Sequence, residues 1–113
     1  MPALEPMPSY KVRVLRLDPT LAELRIEFAD LPADVEVRGR LIGPCCPGSS
    51  TVEVAYQLRK QSGSAAIYKV LIPEPVFWTA DRPCVYEGPV EFRRDGEVVG
   101  SIAISVGIRT TAA

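Results

Sequence analysis

Three cysteines, fourteen carboxylates and a short aromatic run are the residues of this chain whose chemistry could amount to a site, and histidine is missing altogether. Without an imidazole there is no Ser-His-Asp or Cys-His relay. No Gly-rich phosphate loop, paired Cys-x-x-Cys or carboxylate-rich metal loop occurs either. A pair of carboxylates could in principle exchange protons, but most Asp and Glu fall on the polar parity of alternating segments, where solvated charge is the ordinary state. The expectation is therefore a non-enzyme with no catalytic residue, no cofactor and no metal.

The thiols are Cys45 and Cys46, which are adjacent, and Cys84, far from both. An odd, clustered set differs from the even framework of small secreted domains, so free thiols in a reducing compartment are expected. A metal on these thiols would need a further ligand from a carboxylate or a second molecule. The aromatic run is Phe77-Trp78, inside Pro73-Glu74-Pro75-Val76-Phe77-Trp78-Thr79-Ala80-Asp81-Arg82-Pro83. Three prolines remove donors and push their predecessors toward extended geometry, so this crossing is a loop with apolar cargo. Two readings of it stand. Phe77 and Trp78 cover an open end of the fold, with Trp78 largely buried, or Trp78, Phe77 and Tyr68 offer stacking faces to a sugar ring.

Whole-chain properties narrow the partners. Thirteen basic against fourteen acidic residues leave a formal charge of −1, dispersed along the chain, which speaks against nucleic acid and against an anionic membrane surface. The first ten residues, MPALEPMPSY, carry no basic region or apolar run, and no segment approaches the roughly 20 apolar residues that span a bilayer. A cytoplasmic, single-domain protein is expected, with residues 1–9 as an extended leader and 10–113 as one domain.

Positioning falls to strands. YKVRVLRLD alternates through Tyr10, Val12 and Val14 and then changes parity at Leu15 and Leu17, which predicts a bulge. Asp18-Pro19-Thr20 turns the chain into LAELRIEF, with Leu24, Ile26 and Phe28 inward, as a hairpin with the first strand. VEVRGRLIG is a third strand, and residues 43–50 form a loop dense in Gly, Pro and Ser. TVEVAYQLRK alternates most cleanly, residues 60–64 form a polar turn, and AAIYKVLIP is apolar on both parities apart from Lys69. Near the end, Arg94-Asp95-Gly96-Glu97 predicts a two-residue hairpin, since Asp-Gly accepts the positive φ angles of a type I′ turn. It joins a strand containing Pro89, expected at an edge or bulged there, to one on which Val98, Ile102, Ile104, Val106 and Ile108 face inward. About seven antiparallel strands, no helix and no repeat predict an all-β, immunoglobulin-like β-sandwich.

The run VFWTADRPCVYEGPVEFRRDGEVVGSIAISVGIRT resembles the second half of the immunoglobulin-like β-sandwich domain of family 2 glycoside hydrolases. The family's Trp-centred crossing is matched at Phe77, Trp78, Pro83 and Tyr86, its Asp-Gly hairpin at Asp95, Gly96 and Val99, and its terminal Gly-x-Arg at Gly107, Ile108 and Arg109. Thr79-Ala80 stands where a proline often follows the Trp. The resemblance implies a non-catalytic spacer, because in those hydrolases the catalytic carboxylates belong to a separate barrel. A structural or protein-interaction module is thus the expected function, and a carbohydrate-binding module the alternative. The terminal strand, Val98 to Ile108, has neither proline nor charge. As an open edge it would pair with a second copy, giving a homodimer, or with another protein.

Overall fold

The computed structural model describes residues 4, 6–48, 52–61, 63 and 66–109. Eight strands appear: β1 (Ser9–Asp18), β2 (Leu21–Ala29), β3 (Glu36–Cys45), β4 (Val54–Gln57), β5 (Arg59–Lys60), β6 (Ile67–Pro73), β7 (Val85–Arg94) and β8 (Glu97–Val106). They form two four-stranded antiparallel sheets, ordered β1-β2-β6-β5 and β4-β3-β7-β8. The first order, and β3-β7-β8 within the second, reproduce the two sheets of an immunoglobulin-type sandwich, with β4 added beside β3.

Local chemistry accounts for most of this. In β2 the parity Ala22, Leu24, Ile26, Phe28 is buried, and β6 answers with Tyr68, Val70 and Ile72. The other sheet contributes Val37, Leu41, Val90, Phe92 and Ile104 to the same core. Phe28 sits at its centre, edge-on to both Tyr68 and Phe92 with ring centroids 5.7 Å apart in each case. No polar or charged residue is fully buried among the described residues. The β1–β2 hairpin closes where the Asp18 carboxylate accepts from the Thr20 and Leu21 N–H groups. Its predicted bulge is present, with the register stepping between Val14 and Arg16 so that Leu15 is the extra residue. Asp95 and Gly96 both have positive φ, at 52° and 80°, as the β7–β8 turn requires.

Four expectations need correcting. TVEVAYQLRK is not one strand: β4 pairs with β3, β5 pairs with β6 in the other sheet, and the chain changes sheets at Leu58, whose N–H donates to the Gly39 carbonyl. Pro89 is not on an edge strand, since β7 lies between β3 and β8. The β3–β7 ladder instead skips the positions facing Pro89 and Gly88, where β3 comes so close that a Cβ on Gly88 would collide with the Arg40 carbonyl. Val98 does not face inward. A register step between Phe92 and Arg93 leaves it 51% exposed and turns Val99 into the core. The third strand also continues past Gly43 to Cys45, shortening the expected loop at 43–50. Residues 49 and 50 of that loop, 62 and 64 of the expected turn at 60–64, and 1–3 and 5 of the leader lie outside the described residues.

Candidate interaction surface

The aromatic residues singled out from the sequence do not converge. Tyr68 is 3% exposed, edge-on to Phe28 inside the sandwich, so its ring offers no face to solvent. Burial raises its phenol pKa, partly offset by a hydrogen bond with the Val37 backbone of the opposite sheet. Phe77 is half-buried against the core. Trp78 is half-buried too, less than expected, because it lies along the C-terminal run rather than in the interior. Its backbone N–H donates to the Ile108 carbonyl at 2.7 Å, its ring lies against Gly107 where a Cβ would not fit, and the Arg109 guanidinium stands 4.1 Å from the ring centroid. The crossing therefore fastens the run of residues that follows β8.

Tyr86 holds the other side of that crossing. It is fully buried, and its hydroxyl accepts from the Val76 N–H at 2.9 Å, tying the start of β7 back to the loop ten residues upstream. Burial raises this phenol pKa as well. The arrangement parallels the tyrosine corner of immunoglobulin sandwiches, and the signal was a Tyr at the start of a strand after a proline-rich crossing.

The thiols depart from expectation. Cys46 and Cys84 form a disulfide across 38 residues, so the three are not all free. Register explains the pairing: Cys45 lies opposite Val85, which sets Cys46 against Cys84 at the joined ends of β3 and β7. Adjacency in sequence concealed that only one of the two neighbours has the right parity. Cys45 takes the other parity, beside Glu53 and Glu87, and its thiol donates to the Ile42 carbonyl and the Glu53 carboxylate. Burial, with the two carboxylates, pushes its pKa up, which leaves a weak nucleophile.

The described residues offer no group of three metal-ligating side chains. Asp18 and Asp34 are pulled below the usual carboxylate range, Asp18 by the Thr20 hydroxyl and Asp34 by the Arg94 guanidinium, opposite to the shift a general acid needs near neutrality. The hollow beside the β4–β5 switch is lined by Arg38, Gln57, Leu58 and Lys60, and its carboxylate, Glu36, is paired with Arg38 at 3.3 Å.

Four strands end a sheet, β8, β4, β5 and β1, and the largest number of exposed large apolar residues among them falls on β1. This strand pairs only with β2, and its side chains are the most exposed apolar group in a regular element: Tyr10 at 38%, Val14 at 44% and Leu15 at 49%. The border of β8 differs. The Leu4 N–H donates to the Val99 carbonyl, Leu4 is buried in the core, and Met7 lies over Gly100. Sequence reading looked for an open edge at β8 and missed the one at β1, whose signal was its charges and apolar residues together.

No family model and no curated protein sequence matches the chain. Among solved structures, a beta-glucuronidase from glycoside hydrolase family 2 superposes with a TM-score of 0.55 at 15% identity, over 88% of this chain. The likeness is one of fold. The matched region amounts to 11% of the glucuronidase chain.

Proposed function

We propose that this chain is a non-catalytic β-sandwich module, of the kind that family 2 glycoside hydrolases carry as an accessory domain, and that it binds another protein through the border of β1. The observation that carries this reading is the contrast between a filled interior and an uncovered row of Tyr10, Val14 and Leu15 beside unpaired strand backbone. The fold likeness to a fragment of a large hydrolase supports a supporting role over a catalytic one. A carbohydrate-binding role is the weaker reading, because Arg109 already stands over the Trp78 ring that a sugar would use. A homodimer through β8 is weaker also, because the chain's own Leu4 and Met7 lie on that strand.

The test places a benzophenone amino acid at Val14 or, as a control on the exposed face of β8, at Ala103, and irradiates living source cells. A polypeptide adduct of defined mass from position 14 and none from position 103 is the expected result. Absence of an adduct at position 14, or saturable binding of a polysaccharide that shields Trp78 from quencher, would reject the reading.

A further inference from the structure

We infer that the partner at β1 presents an extended segment in which acidic and apolar side chains alternate, added to the sheet as a fifth strand. This rests on the reading above and gives the partner its chemistry. From Ser9 to Val14 the β1 register with β2 is unbroken, and the sheet order ends at β1, so the outer N–H and C=O groups of this run lack a ladder partner. The Leu15 bulge ends the run, limiting a clean addition to about six residues.

The two parities of β1 specify what the added strand carries. Tyr10, Val12 and Val14 lie opposite Phe28, Ile26 and Leu24, on the core side, and they are incompletely covered because no strand lies beyond them. Apolar side chains on an added strand would complete that cover. Lys11 and Arg13 take the outer parity. Arg13 stands opposite Arg25, Arg25 opposite Lys69, and Lys69 opposite Arg59, so one rung of cations crosses all four strands. Like charges directly opposite one another destabilise a sheet. The middle of the rung is balanced by its own carboxylates, Arg25 by Glu27 at 3.2 Å and Lys69 by Glu23 at 2.7 Å. Like Arg59 at the β5 end of the rung, Arg13 at the β1 end has no ion pair among the described residues. A carboxylate on an added strand would stand next to it and supply the missing anion.

The same charges separate this partner from the alternatives. Two copies paired antiparallel about Val12 would set Lys11 of one against Arg13 of the other, a repulsive pair on each side. A nucleic acid would meet the cations but has no amide ladder to offer the strand.

The probe is a capped hexapeptide of alternating valine and glutamate, titrated into the isotope-labelled protein and followed by amide NMR. Shifts should be confined to β1 and β2, weaken with added salt, and be absent with a peptide of the same composition whose glutamates are contiguous. Arg13→Glu should weaken binding about fivefold to tenfold and restore it for the lysine-for-glutamate peptide, with the dispersion of its own spectrum showing that it folds. No shifts on β1 at millimolar peptide, equal response to the contiguous peptide, an unchanged affinity in Arg13→Glu, sedimentation as a β1-dependent dimer, or equal binding of a single-stranded oligonucleotide would each overturn the inference. A benzophenone adduct at position 14 without a peptide response would remove this partner chemistry and leave the module reading standing. Failure of both would remove the two together.

Discussion

The borders at β8 and β1 face the same physical problem and meet it differently. Each ends a four-stranded sheet and each has backbone groups that a neighbouring strand could use. At β8 two residues before β1 lie on the border, Leu4 in the core and Met7 in the space left by Gly100. That sheet also has a covalent tie, Cys46–Cys84, joining the two strands at its centre. At β1 there is a bulge and a set of cations, but the apolar parity stays open. Of these two borders, β1 is the one left without intramolecular cover among the described residues.

Reducing the disulfide should have the largest effect. A loop of this length gives a chain-entropy contribution of about 4 kcal/mol, so reduction should lower the unfolding free energy by about that much and move the denaturant midpoint down in proportion. Alkylation without reductant should then find one slowly reacting thiol, Cys45, and a count of three would remove the tie from the comparison. Next in size is Leu4→Asp, which places a carboxylate in the core and detaches the leader, at a cost of about 3 kcal/mol on a denaturant melt. It should also induce association through the uncovered β8. A monomer of unchanged stability would show that the leader does not guard that border.

Acid should loosen both borders through their turns. Asp18 holds the β1–β2 hairpin and Asp34 pairs with Arg94 before the β7–β8 turn at 2.8 Å. Both folded pKa values lie below the ordinary 3.8, so the stabilisation is present above that value and is lost as pH falls through the lowered ones. Asp18→Asn should flatten that part of the acid limb, and an unchanged limb would mean that the carboxylate does not hold the turn. The smallest effect on folding belongs to Val14→Lys, within about 0.5 kcal/mol on thermal melts because the site is exposed. The same change should abolish partner binding at β1. A large loss of stability would mean that Val14 belongs to the core and that the border is less open than its exposure indicates.

Alternation and turn chemistry determined the all-β class and several local features of the strands. The Asp95-Gly96 hairpin, the parity of β2 and the bulge at Leu15 follow from short-range rules, since a pleated backbone alternates its faces and a parity change demands an extra residue. What local pattern does not contain is which sheet a strand joins and what lies across from it. Val52 to Arg59 alternate, yet the run is divided at Leu58 because β3 and β6 belong to different sheets. Cys46 rather than Cys45 meets Cys84 because of the β3–β7 register, set by pairs far apart in the chain. Leu4 is core because the leader happens to run past β8, and Arg13 is an unbalanced cation because β2, β6 and β5 align their own cations beside it. Each of these depends on contacts between distant segments, which only the closed sandwich brings together.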